Sequence, residues 1–108
     1  MKGNILEGFI ISEFLKQKLS HNLQIEPYFY RDSNGNEVDL VLDFGFKQNL
    51  YEIKAAKSIQ RKHYSRLEKI GSLFSNPELF LISGREERQK LSRTVMNIPL
   101  WDVNYSIL

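Results

Sequence analysis

The sequence contains no cysteine among its 108 residues. Disulfide bonds, thiolate metal sites and thiol nucleophiles are therefore excluded, and the absence favours a reducing compartment. No apolar run approaches the roughly 20 residues that a membrane-spanning helix needs, and the N-terminus lacks the pattern of a signal peptide. We therefore expect a cytoplasmic protein with no membrane partner.

Several other signals of function are also missing. The net charge of +2 is too small to imply nucleic-acid binding by itself. The two histidines, His21 and His63, lie in different predicted elements, so neither a zinc site nor a histidine triad is supported, and we expect surface or boundary residues. The chain has no G-x-S-x-G elbow. It also lacks G-x-x-x-x-G-K-[ST], so this chain is not expected to hydrolyse ATP.

Two stretches in the middle of the chain read as strands, at about 37–44 and 49–56. Both are rich in β-branched and aromatic residues and are bounded by turn residues. Side chains two apart in a strand share a face, so Glu52 and Lys54 stand on one face and Tyr51 on the other. The strand at about 49–56 thus presents an acidic and a basic side chain on the same face.

A hairpin between these strands would bring two acids together. A turn at 45–46 places Asp39 directly opposite Glu52, and a longer loop over 45–48 keeps both acids on the same face. Carboxylates about 5 Å apart on paired strands destabilise each other unless a positive charge lies between them. A divalent cation is the simplest candidate, and Lys54 would add a further charge beside it.

A helix is predicted from about Asn4 to Leu19. Asn4 is a plausible N-cap, with Glu7 three residues later as in a capping box. Glu7 also lies on the apolar face of the helix, so two interpretations remain open: it caps the helix, or it points at the acids of the sheet. The apolar face has a period near 3.6 and consists of Leu6, Ile10, Ile11, Phe14, Leu15 and Leu19.

The remaining elements complete an α-β-β-β-α-β order with a last edge strand. The crossover after the third strand is long enough for a parallel pairing, and residues 84–93 read as a loop or a short exposed helix. Trp101 is expected in the core. We predict an α/β (α+β) domain with a mixed central sheet flanked by helices. The further predicted elements are strand Ile25–Arg31, turn Asp32–Asn36, helix Ser58–Phe74, buried strand Leu79–Ile82 and edge strand Val95–Val103, which contains Pro99.

This order and these residues resemble the PD-(D/E)XK, or restriction-endonuclease-like, nuclease superfamily. Its motif is an Asp on the second strand and an (Asp/Glu)-x-Lys on the third, matched here by Asp39 and Glu52-Ile53-Lys54. Many members carry a Glu on the first helix, matched by Glu7. Val38 stands where the namesake motif has proline.

A narrower resemblance is to the uncharacterised C-terminal domain that follows an AAA+ ATPase module in bacteria and archaea. It implies that residues 1–108 are a single nuclease-like domain and the C-terminal piece of a longer ATPase chain. The ATPase module would then be a partner, and a homodimer is a further expectation because many related nucleases are dimers. The matching residues are Leu6-Glu7, Tyr30-Arg31, Gly35-x-Glu37-Val38-Asp39 and Tyr51-Glu52-Ile53-Lys54-Ala55.

The resemblance implies a metal-dependent nuclease site. Asp39, Glu52 and Glu7 would supply hard oxygen ligands of the kind that Mg²⁺ or Mn²⁺ prefers. Asp39, Glu52 and Lys54 would be the catalytic residues. The alternative for these residues is a metal-free ion-pair cluster that stabilises a repurposed fold.

Basic residues at the start of the second helix are candidates for nucleic-acid binding through backbone phosphates. Their alternative is an ordinary solvated helix face. They are Lys57, Arg61, Lys62 and Arg66.

Two functional hypotheses follow. The first is a metal-dependent DNA phosphodiesterase, in which Glu7, Asp39, Glu52 and Lys54 converge in one pocket. The second is an inactive nuclease-fold module that binds nucleic acid or a partner protein for the ATPase. A Glu7 that only caps its own helix would favour the second.

Overall fold

A computed structural model describes residues 5–20 and 25–105 of the chain. Within these ranges, no helix is both long and apolar enough to cross a membrane. The helices are α1 (Ile5–Ser20) and α2 (Ser65–Gly71), with 3₁₀ turns at Arg61–His63 and Leu100–Tyr105. The strands are β1 (Glu26–Arg31), β2 (Glu37–Asp43), β3 (Gln48–Lys54), β4 (Pro77–Ser83), β5 (Gln89–Lys90) and β6 (Val95–Pro99).

The six strands form one mixed sheet in the order β1-β2-β3-β4-β6-β5. β1, β2 and β3 are antiparallel neighbours, β3, β4 and β6 run parallel, and β5 is antiparallel to β6. The predicted crossover thus joins the parallel neighbours β3 and β4. This architecture confirms the predicted mixed sheet flanked by helices.

Each face of the sheet packs against one helix. On one face, Ile10 and Phe14 of α1 pack in a cluster with Tyr51 of β3. On the other, Leu67 and Ile70 of α2 pack with strand residues of opposite parity. Strand alternation explains both cores, since successive side chains point to opposite faces. The exception is Val38, which has the parity of Leu40 but packs in the α2 cluster.

The β2–β3 hairpin has the predicted register. Leu40 lies opposite Tyr51, and the Phe44 N–H donates to the Lys47 carbonyl at 2.9 Å across the turn. Gly45 has φ +89°, the left-handed backbone that two-residue hairpin turns favour at a glycine. The turn at 45–46 is therefore confirmed.

A β-bulge in β2 was not predicted. Tyr28 and Tyr30 of β1 are separated by one residue, whereas their partners Val41 and Val38 are separated by two, residues 39–40. A bulge leaves an extra residue unpaired and changes the direction of local side chains. Asp39 therefore lies where the β1–β2 ladder is irregular.

The second helix is shorter than predicted. The predicted range 58–74 was wrong at its start, because the backbone of Tyr64 (φ −131°) separates the Arg61–His63 turn from α2. The buried Tyr64 side chain holds this break in place by donating its hydroxyl hydrogen to the Leu91 carbonyl at 3.1 Å.

The predicted edge strand was also wrong. β6 ends at Pro99 and lies between β4 and β5, so the two-residue β5 forms that edge of the described sheet. Proline at the last residue of β6 ends the ladder where its missing N–H costs least. Trp101, expected in the core, is 70% exposed in the turn after β6. The predicted N-cap Asn4 lies outside the described residues.

Candidate active site

A pocket of about 690 Å³ opens where the β2–β3 ladder ends. The last hydrogen-bonded pair of the ladder is Leu40 and Tyr51, and the next residues along each strand are Asp39 and Glu52. The pocket collects side chains from α1, the β1–β2 turn, β2, β3 and the segment around α2. Its lining residues are Glu7, Gly35, Glu37, Asp39, Glu52, Ile53, Lys54, Lys62, His63 and Arg66.

Asp39 is fixed by the backbone of the neighbouring strand. Its Oδ2 accepts the Ile53 N–H at 2.9 Å. The carboxylate is therefore the acceptor where a regular ladder would use a backbone carbonyl. A charged acceptor strengthens such a hydrogen bond. The bulge and this bond together hold the Asp39 carboxylate between the two strands.

Glu52 forms a carboxyl pair with Asp39. The pKa of Glu52 is raised to about 9, chiefly by burial and also by its hydrogen bond to Asp39 and by the Asp39 charge. The positive charge of Arg66 opposes this rise in pKa, and the negative charge of Glu7 adds to it. At neutral pH the pair therefore holds a proton that a bound cation could replace.

Glu7 reaches the same pocket from the first turn of α1. Its side chain is buried and lines the pocket, and its charge acts on Glu52. Of the two interpretations left open by the sequence, the geometry places this carboxylate near the acids of the sheet. Whether Glu7 also caps α1 depends on residues outside the described ranges.

The predicted basic residues divide into two groups. Lys62 and Arg66 line the pocket together with the exposed Lys54. Lys57 and Arg61 are not among the lining residues, and the Arg61 guanidinium instead forms an ion pair with Glu68 at 3.4 Å. The structure thus brings two of the four predicted phosphate-binding residues to the site.

His63 is half-buried, as the prediction of a surface or boundary residue allows, and it also lines the pocket, which was not predicted. Its Nδ1 accepts the Gln60 N–H at 2.9 Å, so the neutral ring carries its proton on Nε2. Burial lowers the pKa of His63, and the charges of Lys54 and Lys62 lower it further. Helical periodicity could not have identified it, because the break at Tyr64 separates the turn that holds His63 from the helix that holds Arg66.

Gly35 and Glu37 line the pocket from the β1–β2 turn and the start of β2. The Asp32 carboxylate accepts the N–H groups of Asn34 and Asn36 and so shapes the predicted turn. Glu37 forms an ion pair with Arg31 at 3.0 Å. Sequence reasoning missed these lining residues because their place depends on how the β1–β2 turn folds over the strand ends.

The donor chemistry of the pocket fits a hard divalent cation. Asp39 and Glu52 offer two carboxyl groups in contact, and Mg²⁺ commonly uses one or two carboxylates while keeping several waters. Within residues 5–20 and 25–105, no three acidic or histidine side chains are close enough together to hold a metal ion as they stand. Glu7 therefore stands beside the pair, not within a group of three ligands.

Comparison with known proteins gives one family. A family model described as "Domain of unknown function (DUF4143)" matches residues 2–103, which is nearly the whole chain. Domains of this family are often found at the C-terminus of AAA ATPases. No curated protein and no solved structure matches the chain.

Proposed function

The chain belongs to the DUF4143 family, and we propose that this domain is a Mg²⁺- or Mn²⁺-dependent phosphodiesterase that acts on DNA beside an AAA+ ATPase. One observation supports the proposal above the others. Glu7, Asp39, Glu52 and Lys54 come from α1, β2 and β3 into a single pocket. The three acids repel one another in a cleft that also holds the lysine, so the group suits phosphodiester hydrolysis better than it suits stability.

The residues of the chain would divide the work of the reaction. Asp39 and Glu52 would hold the cation, with Glu7 adding negative charge beside them. When bound, the cation would polarise a phosphodiester oxygen and lower the pKa of a water ligand. Lys54 would orient that water and stabilise negative charge that develops on the phosphate.

The experiment is calorimetric titration with Mn²⁺ and Mg²⁺, followed by cleavage of plasmid and flap DNA with the same samples. We expect wild type to bind with a Kd of about 1 mM or tighter, and Asp39→Asn to lose at least about tenfold in affinity together with cleavage. Glu78→Gln is the matched control, because Glu78 is an acid of β4 outside the pocket that pairs with Lys47. Cleavage that survives Asp39→Asn would refute the proposal.

A second candidate is a non-catalytic binding module, and Arg66 favours it. The positive charge of Arg66 acts on Glu52, and Asp39 shares a hydrogen bond with the same carboxyl, so the acids are partly compensated without a metal. In that case Asp39→Asn would bind DNA as well as wild type does, and neither protein would bind Mn²⁺ or cut DNA. The homodimer and the cytoplasmic location stay predictions.

A further inference from the structure

We infer that His63 joins Lys62 and Arg66 in a phosphate-binding subsite on the α2 side of the pocket, and that this subsite holds a nucleic-acid strand by its backbone without reading the bases. The identity of the ligand rests on the proposed function. The subsite itself rests on the charges and hydrogen bonds of the pocket.

The pocket is divided by charge. Its acids come from α1, β2 and β3, together with the single cation Lys54 of β3. Lys62, His63 and Arg66 come from the segment around α2. A phosphate is repelled by the first group and attracted by the second. An anionic strand that enters the pocket therefore places its phosphates along the α2 side.

Lys62 on this side is available for a ligand, and Arg66 acts on Glu52 through its charge without forming an ion pair in the described part of the chain. Among the ion pairs of the described residues, none uses Lys54, Lys62 or Arg66. Arg61, next to Lys62, instead forms an ion pair with Glu68 at 3.4 Å. Arg61 and Lys62 are thus both basic, but Arg61 is engaged in an ion pair and Lys62, within the described ranges, is not.

His63 contributes a directed donor. The backbone N–H of Gln60 holds Nδ1, so the ring is oriented and its proton lies on Nε2. Among the hydrogen bonds of residues 5–20 and 25–105, none has the Nε2 proton as donor. A neutral donor beside two cations can bind a phosphate oxygen without adding further positive charge to the site.

The lining also lacks a large aromatic ring. None of the described residues that line the pocket is Phe, Tyr or Trp. Single-strand binding proteins that engage bases commonly do so by stacking them on such rings. Contacts to phosphates fix position but carry no direct sequence information, so binding should be independent of sequence.

The test is fluorescence anisotropy with labelled single-stranded dT and dA oligonucleotides in EDTA, where no cleavage occurs. Asn in place of His63 can keep the Oδ1 acceptor for Gln60 but does not reach as far as Nε2. We expect His63→Asn and Lys62→Gln each to weaken binding about tenfold, with Tm close to wild type. Arg61→Gln removes a charge from the same turn outside the pocket and should change affinity less than about twofold. Wild type should bind both oligonucleotides with similar Kd.

The inference would be overturned by unchanged binding of His63→Asn, by equal losses for Arg61→Gln and Lys62→Gln, or by no binding of wild type. Clearly different Kd values for dT and dA would overturn its independence of sequence. A cleavage assay with Mn²⁺ separates this inference from the proposed function. Binding that depends on His63 in a protein that cuts nothing would refute the nuclease and leave the subsite. Cleavage with the same kcat/KM in His63→Asn would refute the subsite and leave the nuclease.

Discussion

The Glu52 carboxyl is an acid held in its protonated form by its surroundings. Burial and the neighbouring Asp39 raise its pKa from 4.5 to about 9. Folding and cation binding should therefore both depend on pH, because each changes whether the Glu52 carboxyl keeps its proton.

Stability should therefore fall as the pH rises between these two values. Unfolded chains release the Glu52 proton above about pH 4.5, whereas the folded protein keeps it up to about pH 9, so the free energy of unfolding falls by up to about 1.4 kcal/mol per pH unit. This stabilisation is complete below pH 4.5 and lost above pH 9. Urea denaturation of wild type and Glu52→Gln at about pH 5.5 and 8.5 measures it. Equal pH dependence in the two proteins would contradict the assignment.

Asn97 is a buried residue whose side-chain oxygen and nitrogen both form hydrogen bonds. It is completely buried, accepts the Ser83 hydroxyl at 2.6 Å and donates to the Glu87 carbonyl at 2.8 Å. We expect Asn97→Leu to lower the free energy of unfolding by about 2–4 kcal/mol, because it leaves buried partners without a hydrogen bond. Asn34→Ala, at an exposed turn position, should cost less than about 0.5 kcal/mol in the same urea titration. A small loss for Asn97→Leu would mean that water replaces the amide.

At the scale of the element, the β2–β3 hairpin was predictable and the detail that shapes the site was not. Residue alternation and a glycine turn are local, so the sequence predicts the pairing of Asp39 with Glu52. The bulge at 39–40 depends on how β1 pairs with β2, and the break at Tyr64 depends on its bond to Leu91. Such partners are distant in sequence, and periodicity carries no information about them.

The hairpin turn gives a test of backbone conformation. Gly45→Ala places a side chain at φ +89° and should lower the free energy of unfolding by about 1 kcal/mol. Gly8→Ala is the matched control, because Gly8 lies inside α1 with no atom within 4 Å of the added Cβ. It should raise stability by roughly 0.5–1 kcal/mol through helix propensity. Thermal denaturation measures both variants. A stability change of the same sign in Gly45→Ala and Gly8→Ala would contradict the turn geometry.

At the scale of the whole molecule, the two apolar clusters share one sheet. The cluster under α1 includes Tyr51 and Ile82, and the cluster under α2 includes Leu50 and Leu81, which are their neighbours on β3 and β4. If the strands separated, the apolar clusters on both faces of the sheet would be exposed to water. The candidate site depends on both layers, because Glu7 comes from α1 and Arg66 from α2.

Unfolding should therefore be a single cooperative transition. We expect far-UV circular dichroism and near-UV circular dichroism, the latter sensitive to the buried Tyr51, to give the same midpoint in urea. Phe14→Ala in one cluster and Leu67→Ala in the other should each lower the free energy of unfolding by about 2–5 kcal/mol. In each variant the midpoints of both signals should move together. Separate midpoints for the two signals would show that the layers unfold independently.

The two-residue strand β5 has a consequence for the behaviour of the protein in concentrated solution. β6 continues the parallel, largely buried part of the sheet, and a long open edge there would be a template for strands of other molecules. β5 pairs with β6 at Met96 and Asn97, and the Leu91 N–H bonds to the Val95 carbonyl. The bound segment is short and follows a charged turn, so it gives an incoming strand little to pair with. The β5 edge of the sheet is thus protected against strand addition.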